Sequence, residues 1–155
     1  MTKQRTVLVT GGSRGIGASI AKHFAEQGDR IAVHYSSNGD LAAEVMASLP
    51  GSGHMTTQAD LRDADAIKVM VDAVAKEFGH IDILINNAGV FFDHPIETSS
   101  YEVWQKAWAD TLGVNLTGAA NVTWCALQYM PRHGDSRIVN VGSRGAFRGE
   151  PVSPA

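Results

Sequence analysis

Thr10-Gly11-Gly12-Ser13-Arg14-Gly15-Ile16-Gly17 follows the apolar run Thr6–Val9 and leads into an amphipathic segment. A strand that breaks into glycines and resumes as a helix makes a tight turn with bare backbone, which a pyrophosphate can approach closely. The helix start adds free N–H groups and the positive end of its dipole. The alternative is a glycine-rich turn with no ligand. The strand before and the helix after argue against it, because a glycine triplet outside that context carries little weight.

Outward from the turn, Ile16, Ile20 and Phe24 recur at i, i+4 and i+8, predicting a helix over Ile16–Gln27 with Gly28 as its C-terminal cap. Leu41, Val45, Met46 and Leu49 form a second stripe closed by Pro50-Gly51. Ile67, Val71, Val74 and Phe78 form a third, closed by Gly79. Ser99-Ser100-Tyr101-Glu102 reads as a capping box opening a helical region that runs to about Met130, with a kink near Gly113 and Asn115. Apolar runs at Thr6–Val9, Ile31–Tyr35, Met55–Ala59, Ile81–Ile85 and Arg137–Val141 alternate with these helices. Near-continuous apolar strands between amphipathic helices belong to a parallel sheet covered on both faces. The expected fold is therefore α/β, a Rossmann-like doubly wound parallel sheet, with its ligand at the strand C-terminal ends. Residues 1–155 are expected to form a single nucleotide-binding domain.

Composition narrows the partners. A net charge of −3 gives no basic footprint for nucleic acid or an anionic membrane. No apolar run approaches the roughly 20 residues of a membrane span, and Met1–Arg5 is polar. The one cysteine, Cys125, permits no internal disulfide and suits a reducing cytoplasm. Six scattered histidines show no zinc-ligand spacing, so no metal is expected.

The spacing Gly11, Gly15, Gly17 is G-x-x-x-G-x-G rather than G-x-G-x-x-G. Together with Asn86-Asn87-Ala88-Gly89 after the fourth run, it resembles the short-chain dehydrogenase/reductase family, and most of all its 3-oxoacyl-carrier-protein reductase-like members. The resemblance extends from Thr6 to Ala155. It implies a nicotinamide dinucleotide held by Gly11, Ser13, Arg14, Gly15, Ile16 and Gly17, with Asn87, Ala88 and Gly89 lying against it.

Which nicotinamide carrier is implied follows from the second run, which ends His34-Tyr35-Ser36-Ser37-Asn38 with no carboxylate before Asp40. An acid there would bond a ribose 2′-hydroxyl and repel a 2′-phosphate, whereas Ser36, Ser37 and Asn38 can donate to phosphate. Arg14 supplies a guanidinium that can grip it. NADP(H) is expected over NAD(H); the alternative makes Arg14 a solvated surface charge. By resemblance Asp60-Leu61 meets the adenine, although Asp60 could instead cap the helix beginning near Ala64.

The same resemblance implies hydride transfer between a small-molecule carbonyl and an alcohol. Ile138-Val139-Asn140-Val141-Gly142-Ser143 matches the segment whose serine, here Ser143, holds the substrate oxygen. Val114-Asn115-Leu116-Thr117-Gly118 matches the segment whose asparagine, here Asn115, serves a proton relay through a kinked helix. Asn115 could instead satisfy the helix break alone. The acid–base pair of the family, Tyr-x-x-x-Lys, is absent: Tyr35, Tyr101 and Tyr129 are followed four residues on by Gly39, Gln105 and His133. Gly149–Ala155 reads as the lead-in to that pair, so the domain is expected to be incomplete at its C-terminal end and inactive by itself. The alternative function is a catalytically inactive nucleotide-binding or subunit-interaction fragment. Phe91, Phe92 and Phe147 flank the expected site and suit a partly apolar substrate, or ordinary packing. The family pairs helices equivalent to Asn121–Met130, so a homo-oligomer, dimer or tetramer, is expected.

Overall fold

The computed structural model describes residues 4–132, 134–150 and 152–155. Met1–Lys3, His133 and Pro151, the last within the expected lead-in segment, lie outside them. Five strands form one parallel sheet: β1 (Thr6–Val9), β2 (Arg30–Tyr35), β3 (Met55–Gln58), β4 (Ile83–Asn86) and β5 (Arg137–Asn140). Their order is β3-β2-β1-β4-β5. Chain order reverses between β1 and β4, and the crevice at such a switch point is where open α/β sheets bind ligands.

The register puts Val7, Ile31 and Ile83 side by side, then Leu8, Ala32 and Leu84, then Val9, Val33 and Ile85. Successive side chains of a strand face opposite ways. Leu8, Ala32 and Leu84 accordingly pack with Ile67, Val71 and Val74 of α3 (Ala64–Phe78) and Val122 and Ala126 of α5 (Ala119–Leu127). Val7, Val9, Ile31 and Val33 pack with Ala21 and Ala25 of α1 (Gly15–Glu26) and Ala42 of α2 (Gly39–Ser48). Two cores on one sheet make the doubly wound fold. Both β3 and β5 are edge strands among the described residues, and β5 differs in burial: its Ile138 and Val139 stay exposed.

Helix ends refine the sequence reading. Gly28 and Gly79 have φ of 89° and 85°, the left-handed geometry that ends a helix without a Cβ penalty. The expected capping box is replaced by a simple cap: Ser100, not Ser99, caps α4 (Tyr101–Leu112) and accepts from Val103 N–H at 3.3 Å, and Val103 has no side-chain oxygen to reciprocate. The expected kink is a six-residue π-helical stretch, Gly113–Gly118, joining α4 to α5. Its wide turn is closed by Thr117 Oγ1, within 3.1 Å of both the Leu112 and Gly113 carbonyl oxygens. Gly118 permits it, because a Cβ there would lie 2.6 Å from the Leu61 carbonyl oxygen. Among the described residues, no helix is long and apolar enough to cross a membrane, and no three His, Cys, Asp or Glu side chains could hold a metal ion.

Candidate active site

The turn after β1 is built from backbone that only glycine tolerates. Gly11 and Gly15 have φ of 62° and 53°. A Cβ on Gly11 would sit 2.9 Å from Ala88 Cα, and one on Gly17 would sit 2.2 Å from the Gly11 carbonyl oxygen. The turn is therefore folded tightly onto the β4 end and onto its own helix. Thr10, fully buried, joins the two strand ends: its hydroxyl lies 3.2 Å from the Ile85 carbonyl oxygen and accepts from the Asn87 and Ala88 N–H groups at 3.0 Å. Asn87 Nδ2 returns the contact, donating to the carbonyls of Thr10 (2.9 Å) and Gly11 (3.1 Å). Asn86 ties the next pair, giving Nδ2 hydrogens to Thr123 Oγ1 and Asn140 Oδ1, both at 2.9 Å.

Thr10 and His34 belong to the site but lie outside the residues expected around the ligand. His34 is buried on β2, with Nδ1 accepting from Gly11 N–H and Nε2 against the Ala59 carbonyl, each at 3.0 Å. Burial pushes its pKa down, and the Ala59 hydrogen bond only partly opposes that. The clue was available: a histidine in an otherwise apolar β2 run needs two partners. The Gly11 and Gly12 amides are engaged within the protein, donating to His34 Nδ1 and to the His34 carbonyl (2.8 Å). The first α1 bond runs from Ala18 N–H to the Arg14 carbonyl, so the amides of Gly15, Ile16 and Gly17 precede the helical ladder.

Two clefts open at the C-terminal ends of the strands. The smaller, about 440 Å³, is lined by Gly11, Ser13, Arg14, Ser36, Ser37 and Asn38. Asp60 and Leu61 after β3 and Asn87, Ala88 and Gly89 after β4 line it as well. The larger, about 1180 Å³, holds Ile16, Asn115 and Ser143 together with Phe91 and Phe92. Both are walled by residues 87–90, so they adjoin. Gly15 and Gly17 line neither of these two clefts. Phe147 is 92% exposed and stands apart from both, whereas Phe91 and Phe92 line the larger one.

Individual side chains are placed as follows. Arg14 is exposed at the start of α1 and makes no capping hydrogen bond. Asn38 caps α2 through Oδ1, which accepts from Leu41 N–H at 3.1 Å, while Ser36 and Ser37 are exposed. Asp60 does not cap α3; Asp63 does, accepting from Asp65 and Ala66 N–H. Asp60 instead receives Arg62 Nη2 at 2.6 Å and Nε at 3.0 Å, and these side-chain hydrogen bonds hold its carboxyl below the usual carboxylate range. Asn115 does not satisfy the helix break, which Thr117 closes; its amide pairs with both backbone polar groups of Val90. Ser143 Oγ accepts from Gly145 N–H at 3.3 Å at the start of α6 (Gly145–Arg148) and is exposed to the larger cleft.

Residues 5–155 match the sequence pattern of the family described as short chain dehydrogenase. The chain belongs to the short-chain dehydrogenase family. It is 35% identical over 153 residues to 3-oxoacyl-[acyl-carrier-protein] reductase FabG of Staphylococcus aureus, which covers 97% of this chain and 61% of that protein. It is 38% identical over 144 residues to D-threitol dehydrogenase of Mycolicibacterium smegmatis, covering 92% of this chain and 54% of that one. A crystal structure of a short-chain dehydrogenase from Burkholderia cenocepacia in complex with NADP superposes with a TM-score of 0.82 at 34% identity, covering 96% of this chain and 59% of the other. This short-chain dehydrogenase chain thus spans about three fifths of the length of such relatives.

Proposed function

We propose that the protein is an NADP(H)-dependent oxidoreductase that interconverts a carbonyl and an alcohol. The observation that carries this reading is the pair of adjoining clefts: one bounded by the glycine turn, the other by Ser143, at the switch point of the sheet. The solved relative whose fold this chain shares was obtained with NADP.

The residues present fit such a dinucleotide. Missing Cβ atoms at Gly11 and Gly17 leave room for backbone to close on itself, and the α1 amides ahead of Ala18 offer donors to a diphosphate. Arg14, Ser36 and Ser37 edge the smaller cleft with donors, and the β2 end places no carboxylate before Asp40, which suits a 2′-phosphate. Asn38 lines the same cleft, with its Oδ1 capping α2. Asp60 and Leu61, which line the same cleft, would meet the adenine, with Asp60 steadied by Arg62. When bound, NADP(H) supplies or accepts the hydride.

In the larger cleft, Ser143 would donate a hydrogen bond to the substrate oxygen and stabilise charge that develops there. Asn115 holds the Val90 backbone, and through it the wall shared by both clefts. Phe91 and Phe92 give that cleft an apolar side suited to a partly apolar substrate. The described residues serve as one nucleotide-binding domain, and the protein is proposed to assemble as a homo-oligomer in the cytoplasm.

Titration of the protein with NADPH and NADH tests the cofactor reading; NADPH should bind more tightly, and silence toward both nucleotides would overturn it. Carbonyl-dependent oxidation of NADPH, followed by its absorbance, tests the reaction. The second reading, nucleotide binding without turnover, concerns residues 1–155 taken alone, in which Tyr-x-x-x-Lys does not occur. It predicts NADPH binding with no carbonyl-dependent oxidation.

A further inference from the structure

His34 occupies the last fully buried position of β2, with 1% of its surface exposed. Packing alone would be served by valine or isoleucine, as at Ile31 and Val33. The ring instead spans three segments. Its Nδ1 accepts from Gly11 N–H after β1, and its Nε2 meets the Ala59 carbonyl after β3, each at 3.0 Å. A carbonyl can only accept, so Nε2 carries the proton and Nδ1 is bare: a neutral ring in one tautomer. The Gly11 carbonyl is taken by Asn87 Nδ2 at 3.1 Å. Both polar groups of Gly11 are thus held by protein side chains.

We propose that His34 is a positioning residue of the glycine turn, fixing the Gly11 amide so that the turn is already shaped before a dinucleotide arrives. The proposal rests on the reading of the smaller cleft as the NADP(H) site. A free Gly11 N–H would leave the left-handed peptide with fewer restraints, and binding would then carry the cost of ordering it. The side chain that matters is the Nδ1 half of the ring. The Ala59 contact keeps the ring in the tautomer that leaves Nδ1 as an acceptor.

Two substitutions separate the halves. In His34→Asn, Oδ1 is attached to Cγ as Nδ1 is, and can still accept from Gly11. In His34→Gln, the terminal amide lies one bond further out, where it can reach Ala59 but not Gly11. In the intact protein, His34→Asn should keep NADPH affinity within about threefold, while His34→Gln should weaken it about tenfold, equivalent to about 1.4 kcal/mol. A merely structural histidine predicts equal losses in the two variants, and equal losses or none would overturn the proposal. Amide exchange at Gly11 and imidazole 15N signals provide a readout that does not involve the nucleotide. Gly11 should be protected in the unsubstituted protein and His34→Asn but exchange freely in His34→Gln, with Nε2 as the protonated nitrogen. A proton on Nδ1, or an unprotected Gly11 amide in the unsubstituted protein, sinks the proposal even if His34→Gln fails to fold. If NADPH does not bind the unsubstituted protein, the proposed function falls, while the exchange pattern still decides the role of His34.

Discussion

Asn115 and Val90 face each other with complementary groups: Asn115 Oδ1 accepts from Val90 N–H at 2.8 Å, and Nδ2 donates to the Val90 carbonyl at 2.9 Å. One amide thus fastens the π-helical stretch to the segment that walls both clefts. Asn115→Ala should lower stability by about 1–2 kcal/mol, the net worth of two such hydrogen bonds. Asn115→Asp should be no better, because it sets a second oxygen against the Val90 carbonyl. Chemical denaturation with amide exchange at Val90 checks this, and an unchanged Val90 amide in Asn115→Ala would contradict it.

Gly15 and Gly17 should fail for different reasons. Gly15→Ala meets no atom within 4 Å but places a side chain at φ 53°, a strain of about 1–2 kcal/mol. Gly17→Ala drives its Cβ to 2.2 Å from the Gly11 carbonyl oxygen and 2.6 Å from Asn87 Nδ2, so backbone must move. It should cost more, about 1–3 kcal/mol or above, and it should abolish NADPH binding. Thermal denaturation of the two variants gives the ranking; a milder Gly17→Ala would refute the close approach.

Arg14 should discriminate between the two nicotinamide carriers. Its exposed guanidinium lines the smaller cleft beside Ser36 and Ser37. Arg14→Ala should weaken NADPH about tenfold through loss of a charge-assisted hydrogen bond and leave NADH almost unchanged. Parallel titrations decide it: equal losses for both nucleotides would remove Arg14 from the 2′-phosphate.

Acid should act through His34. Burial holds its folded-state pKa below the ordinary 6.5, so the unfolded chain takes up a proton that the folded protein resists. The stability it contributes is complete above pH 6.5 and is lost as pH falls through the depressed folded value. At the same cleft, Asp60, depressed by its Arg62 hydrogen bonds, acts only below its ordinary 3.8. Denaturation midpoints between pH 7 and pH 4.5 should therefore fall for the protein and flatten in His34→Asn. A parallel decline in both would assign the effect elsewhere.

Much of this architecture was legible because its causes are local. Runs of Val and Ile between helical stripes force a covered parallel sheet, and Gly28 and Gly79 end their helices where positive φ is needed. Of the residues expected around a dinucleotide, Gly11, Ser13, Arg14, Ser36–Asn38, Asp60, Leu61 and Asn87–Gly89 line the smaller cleft, whereas Ile16 lines the larger and Gly15 and Gly17 line neither. What escaped was set by contacts between distant segments. Asp60 is the exception, decided locally by Arg62 two residues on, while Asp63 caps α3. Asn115 looks like a residue of the helix break until Thr117 closes the turn and Val90 arrives from 25 positions away. His34 reads as one more residue of a strand until the Gly11 and Ala59 backbones converge on its two nitrogens.

The short wall from Asn87 to Val90 has a consequence for how such a scaffold can diversify. Exchanging the Ser36–Asn38 rim touches only the smaller cleft, so preference between carriers can drift there without disturbing the pocket beyond. A change at Ala88 or Gly89 is felt on both sides at once. Tuning for new substrates is therefore freest at Phe91 and Phe92, just past the shared partition, where side chains can be swapped while the partition itself stays still.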